Sequence, residues 1–213
     1  MNSKFIIPLA GYPIFKIETN EKLNKDEINF IKNLKLVKHI KTNTKLTEDV
    51  DILRFKELKR IKNLIWNSFC CYIDEIIQIE NQFYFCNSWA TIQKKGDSHP
   101  AHNHENAIFS SVYYGETKKS SLVFHVTRSK IQEGHFLAYN IKNFNYFNSR
   151  TWTVPVKEGD IIFFPGEVTH EAKENKFSNQ RITIPASFYF KGKTGYDGNY
   201  DSIDIGDNKN LKY

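Results

Sequence analysis

Cysteine is scarce in this chain, long apolar runs are missing, and charge is not gathered into blocks. Each absence removes a class of protein. The three cysteines, Cys70, Cys71 and Cys86, are odd in number and follow no zinc-binding spacing. Sequence neighbours such as Cys70 and Cys71 rarely bridge each other, so the set reads as reduced, buried or half-buried thiols. No apolar run approaches a membrane span, and the opening MNSKFIIPLAGYPIFK has no signal-peptide cleavage pattern. A cytoplasmic protein without a membrane partner is expected. The net charge of +6 comes from lysines spread along the chain, and charge alone does not imply nucleic acid. Internal repeats are absent as well.

What is present is apolar and aromatic. Hydrophobic residues make up 40% of the 213 positions and aromatics 15%, too much for a disordered chain and enough for one large core. Asn24 opens LNKDEINFIKNLKLVK (23–38) as a helix cap, with Ile28, Ile31 and Leu34 at helical spacing. From Ile52 to Ile79, the residues Leu58, Ile61, Ile65, Phe69, Ile73 and Ile76 share one stripe, which predicts a long amphipathic helix buttressing a sheet. After Glu80 the period changes. FYFCNSWATIQ (83–93), AIFSSVYYG (107–115), SLVFHV (121–126), TWTVPV (151–156), DIIFFPG (160–166) and RITIPASFYF (181–190) read as short strands between turns. The fold expected is mainly β with N-terminal helices, its strands closing into a sandwich or barrel. One domain would cover 1–191, with helical support over 23–80 and a β core over 83–190. The segment 127–150, with one short strand at HFLAY, reads as a lid or substrate loop, and 192–213 as a polar tail.

Three of the seven histidines fall within HPAHNH, residues 99–104. On an extended segment His102 and His104 project to one side, a common start to a mononuclear metal site that needs a third, distant ligand. His170, after the DIIFFPG strand and at the start of the next, is the natural candidate. If His170 and Arg181 bound a hairpin around NKFSNQ, the guanidinium would face the same pocket, offering a bidentate clamp to a carboxylate. A lone His-x-His is more often a surface feature, and a lone arginine more often starts a strand. Agreement among separate segments favours the site. His99, before a proline, reads as a supporting or surface residue; His39, His125 and His135 serve the elements they sit in.

The series SWATIQ, GDSHPAHNH, SSVYYG, VKEGDIIFFPGEVTHEAKEN and QRITIPASF resembles a family of 2-oxoglutarate/Fe(II)-dependent oxygenases of double-stranded β-helix fold, over about residues 83–190. FIIPLAGYPIF is similar to that family's amino-terminal strand. The resemblance implies a jelly-roll or cupin-like barrel, Fe(II) held by His102, His104 and His170, and Arg181 gripping the distal carboxylate of 2-oxoglutarate. Thr183, two residues on and so on the same face, would add a hydroxyl. Strand neighbours point oppositely, so only one of Tyr113 and Tyr114 can face the cosubstrate, and Tyr113 is assigned to it. The implied reaction uses O2 to convert 2-oxoglutarate to succinate while hydroxylating an unidentified small molecule, amino-acid residue or nucleotide-containing substrate. One departure stands out: the wider superfamily has His-x-Asp/Glu where this chain has His-x-His. Asp97 and Glu105 are the carboxylate alternatives, Asp97 only if its loop folds back. A weaker similarity to cupins, through Gly96, His102, His104, Gly159, Pro165 and His170, implies the same barrel and ligands but leaves Arg181 unexplained. A cupin-like metal protein that ignores 2-oxoglutarate is the alternative function.

Overall fold

The computed structural model describes residues 11–125, 140–145, 148–195 and 202–206. The strand expected at HFLAY, His135, and most of the opening stretch and tail lie outside them. No helix among the described residues is long and apolar enough to cross a membrane.

Helix α1 (Lys25–Asn33) starts as its sequence predicts. The Asn24 side chain accepts from Glu27 N–H, and Glu27 reaches back to Asn24 N–H, a complete capping box. Glu27 also accepts a two-pronged contact from Arg60, which fastens α1 to α2 (Lys59–Cys71). The helix stops at Asn33, and 36–38 form a strand rather than a last helical turn. In the long stripe, two 3-10 turns (Ile52–Arg54 and Lys56–Leu58) precede α2, and a π turn follows at Tyr72–Ile77. A π turn is wider than an α turn, so it shifts the buried face. Tyr72 turns fully inward and its hydroxyl donates to Pro13 O, while Ile76 is exposed, contrary to the stripe.

Among the described residues thirteen strands follow in order: β1 (Phe15–Glu18), β2 (Leu36–Lys38), β3 (Lys45–Thr47), β4 (Gln82–Ser88), β5 (Thr91–Gln93), β6 (His99–His102), β7 (Phe109–Glu116), β8 (Ser120–His125), β9 (Thr151–Val156), β10 (Asp160–Pro165), β11 (His170–Ala172), β12 (Arg181–Thr194) and β13 (Ile203–Ile205). The larger sheet runs β1-β10-β7-β12-β5-β3-β2, with β4 and β13 also pairing with β12; the smaller runs β6-β11-β8-β9. The predicted strand 83–93 is two pieces, broken at Trp89 and Ala90.

Alternation along the strands of the large sheet feeds two cores. Tyr113, Ile161, Phe163, Ile182 and Phe188 face α2, where Phe188 stacks on Phe69 with centroids 3.8 Å apart. Val112, Tyr114, Ile162 and Phe164 face the small sheet and meet Leu122, Phe124 and Val156. Strand β10 is therefore apolar on both faces, which is why DIIFFP shows no polar alternation. The three cysteines are free and half-buried.

Candidate metal centre

The two sheets bring the sequence-distant histidines together. His170 opens β11 directly opposite His102, the last residue of β6. His104 lies two residues beyond β6, in a turn, so the pair is not carried on one extended segment as the spacing suggested. Ring centroids are 4.3 Å apart for His102 and His170, 5.0 Å for His104 and His170, and 5.3 Å for His102 and His104. One ligand atom from each residue lies within 4.8 Å of the others. The Nδ1 atoms are already engaged: His102 donates to Pro100 O at 2.8 Å, His170 to Val168 O at 2.9 Å, and His104 shares a 2.7 Å bond with Ser110 Oγ. A carbonyl only accepts, so His102 and His170 carry their proton on Nδ1 and leave the Nε2 lone pair free. That donor set suits a first-row divalent ion.

Burial, together with the neighbouring imidazoles, disfavours the charged form throughout the cluster. It holds His170 at about 3, His104 at about 4 and His99 at about 3, against an ordinary 6.5, and lowers His102 as well. A histidine with a depressed folded-state pKa stabilises the fold above its unfolded value, and that contribution is lost as pH falls through the folded one. Metal-free protein is therefore expected to lose stability between pH 6.5 and about 3, and a bound divalent ion to move the transition lower. Circular dichroism with and without Zn(II) checks this; an acid midpoint indifferent to metal would contradict it.

Gly166 fixes the His104 turn. His104 N–H donates to Gly166 O at 2.8 Å, and Gly166 N–H donates to Ile108 O at 3.0 Å. A Cβ on Gly166 would stand 2.2 Å from Ala107 O and 2.8 Å from His104 O, backbone atoms that cannot swing aside. Gly166→Ala is expected to cost about 1–3 kcal/mol through overpacking and to weaken Zn(II) binding by about 10–100-fold through the displaced ligand. Thermal unfolding and equilibrium dialysis read the two effects separately.

Arg181 is 2% exposed at the start of β12. It does not share a hairpin with His170: β12 belongs to the large sheet and β11 to the small one, because β11 ends after three residues and 173–180 cross between the sheets. Asn175 ties that crossing down, its side chain donating to Gln93 O and Asn179 O. The guanidinium instead spans the gap, donating to Gln93 Oε1 at 2.8 Å, Ser120 Oγ at 2.5 Å and Lys173 O at 2.7 Å. Among the described residues no carboxylate pairs with it. Burial lowers its pKa, while Tyr114 and Asp97 act in the opposite direction.

One cavity holds the three histidines, Arg181 and Thr183, and Thr183 Oγ1 lies 2.6 Å from Thr91 Oγ1. Tyr113 is a correction. Its ring faces the helices and its hydroxyl donates to Glu21 O; Tyr114, one residue on, lines the cavity. The strand rule was right and the parity wrong. Asp97 is buried but accepts from Lys94 N–H, closing the 94–97 turn rather than replacing an imidazole, and Glu105 is exposed. His99 also lines the cavity, its ring 4.5 Å from His102 and 4.7 Å from His39, with a buried Nδ1 lacking a partner among the described residues. Ser110, Gln93 and Ser120 were not singled out from sequence. Ser110 left a trace there only as one of two adjacent serines in a strand that is largely aromatic and aliphatic.

Residues 87–187 match the family model described as "Putative 2OG-Fe(II) oxygenase". The oxygenase resemblance holds. The double-stranded β-helix fold is shared with a prolyl-4-hydroxylase of Pseudomonas putida at 12% identity, over 86% of this chain and 95% of that one, with a TM-score of 0.53. HygX of Streptomyces hygroscopicus, solved with nickel and 2-oxoglutarate, aligns at 10% identity over 83% and 82% with a TM-score of 0.56. SnoN, a non-heme alpha-ketoglutarate-dependent epimerase from nogalamycin biosynthesis, aligns at 10% identity over 84% and 78% with a TM-score of 0.57. No curated protein sequence matches the chain. The matched segment contains His102, His104, His170 and Arg181.

Proposed function

We propose that this chain is an Fe(II)- and 2-oxoglutarate-dependent dioxygenase that hydroxylates a small substrate. The observation that carries the reading is a fully buried arginine, without a carboxylate partner among the described residues, in the same cavity as three imidazoles whose free nitrogens converge. A divalent ion on three neutral ligands beside a guanidinium leaves three positive charges in a low-dielectric site, and a dicarboxylate cancels two of them. His102, His104 and His170 would hold the iron, and Arg181 with Thr183 would hold the far carboxylate of the keto acid.

When bound, iron supplies the O2 activation that couples oxidative decarboxylation of the keto acid to oxidation of a substrate C–H bond. In balance, 2-oxoglutarate, O2 and R–H give succinate, CO2 and R–OH. The residues of this chain position and shield. The bonds from Gln93, Ser120 and Lys173 O fix the guanidinium fork before the cosubstrate arrives, so little ordering remains to be done on binding. Val112, Tyr114 and Leu122 line the same cavity with apolar surface, which excludes water from the reacting groups.

Anaerobic titration of Fe(II)-loaded protein with 2-oxoglutarate is expected to raise a weak visible charge-transfer band. Admitting O2 should then convert the keto acid to succinate. Iron binding with no response to the keto acid would leave only a metal-binding barrel.

A further inference from the structure

A second cleft shares Trp89 with the first cavity but is not lined by the arginine. Its volume is about 470 Å³, within the range of small-molecule sites. Trp89 and His104 line both cavities and touch edge-to-face at 5.5 Å. A molecule in this cleft therefore lies against one of the three converging imidazoles.

The strand register builds its floor. Ser187 of β12 pairs with Ser110 of β7 on one side and with Asn87 of β4 on the other, making a polar row across three strands. The next row, Phe109, Phe188 and Phe85, belongs to the apolar core on the helix side. A bulge in β4 makes the polar row possible. Phe188 pairs with Phe85 and Ser187 with Asn87, so Cys86 is the extra residue. Without it, simple alternation would turn Asn87 toward the helices; with it, Asn87 faces the cleft. The row begins at Ser110, whose hydroxyl holds His104, and ends at Asn87.

Ser187 is 3% exposed, and what remains accessible opens onto this cleft. Its hydroxyl, like the side-chain amides of Asn103 and Asn106, has no hydrogen-bond partner among the described residues. Hydroxyls and amides left in this way hold hydrogen-bonding capacity for a ligand. Among the described residues of the lining, Glu105 is the only charged side chain, and no lysine or arginine contributes.

We infer that this cleft is the substrate subsite, and that it takes a small neutral or cationic molecule carrying several hydroxyl, amine or amide groups. The word substrate rests on the oxygenase reading; the binding preference does not. The inner face of β12 sorts ligands by charge along its length. Arg181 and Thr183 stand at the anion end, and Ser187 stands six residues further, about 20 Å of strand, at the end where no described lining residue is a lysine or arginine. A dicarboxylate is drawn to the first cavity and finds only Glu105 in the second, so cosubstrate and succinate do not compete for the substrate's place.

The test uses the full chain, nitrogen-15 labelled and metal-free, then repeated with Zn(II). A fragment library with equal numbers of anionic, neutral and cationic members is screened by NMR. The readout is the side-chain amide signals of Asn87, Asn103 and Asn106, assigned by their loss in the Asn→Asp variants. Fragments that shift at least two of these signals are expected to come from the polar neutral and cationic classes. Ser187→Ala, which removes one hydroxyl and little volume, should weaken the best of them about five- to tenfold. Asn103→Ala, on the loop and outside the sheet, should do the same. A majority of anionic hits, an absence of hits, or affinities unmoved by both variants would overturn the inference. None of these outcomes depends on whether the iron and keto-acid band forms, so the two readings fail separately.

Discussion

Arg181→Leu is expected to abolish the visible band formed by Fe(II) and 2-oxoglutarate while leaving iron affinity nearly unchanged. Among the described residues the guanidinium hydrogen-bonds no histidine; its three fixed partners are Gln93, Ser120 and Lys173 O. Removing one partner of a buried charge pair costs about 3–5 kcal/mol, which is a loss of about 150- to 5,000-fold in cosubstrate affinity. Arg181→Lys keeps the charge but not the planar fork, and one ammonium cannot replace donors aimed in three directions. It should fall between wild type and Arg181→Leu. Stability separates this effect from simple misfolding. The leucine variant removes a desolvated cation but leaves Gln93 Oε1 and Lys173 O unsatisfied, opposing terms of similar size. Its melting temperature should move far less than its cosubstrate affinity. Equal loss of iron and keto-acid binding would mean that Arg181 supports the fold rather than a ligand.

How much of this was legible before the structure depended on whether a feature is local. The Asn24 cap and the change of period after Glu80 are written in adjacent residues, and the structure has them. The three histidines were legible because they flank readable strands: His102 and His104 shortly precede the strand read over 107–115, and His170 follows the one read over 160–166. What failed was geometry fixed by partners far away. A hairpin from His170 to Arg181 is the economical guess for eleven residues, but Asn175 fastens the crossing to the Gln93 strand and sends the two residues to different sheets. The parity of Tyr113 and Tyr114 was undecidable locally, since both rings are buried and each face of β7 has its own core. Asn87 was illegible for a related reason: the bulge at Cys86 resets alternation, and nothing in FYFCNSW marks which residue is the extra one. The π turn after α2 likewise moved Ile76 out of a stripe that α-helical spacing had drawn straight through it.

His170→Ala is expected to cut Zn(II) or Fe(II) affinity by more than about 100-fold, beyond the 10–100-fold typical of losing a ligand's support. His170 carries this because it is the most buried of the three and closes the set from the small sheet: its ring is within 5.0 Å of both others, whereas His102 and His104 are 5.3 Å apart. Two remaining imidazoles cannot define a three-coordinate face. Ser110→Ala tests the other half of the argument, since it leaves all three rings in place and removes only the bond to His104 Nδ1. It should fall within the 10–100-fold range. Acid unfolding of the metal-free proteins supplies an independent readout with a defined sign. His170 resists protonation when folded, held at about 3 by burial and by the neighbouring His102, so in wild type it contributes to acid instability below pH 6.5. Deleting it removes that contribution. Metal-free His170→Ala should therefore unfold at a lower pH than metal-free wild type, even where the cavity it leaves lowers its stability at neutral pH. A variant that kept its metal, or one whose acid midpoint rose, would remove residue 170 from the centre and with it the convergence of the two sheets on one ion.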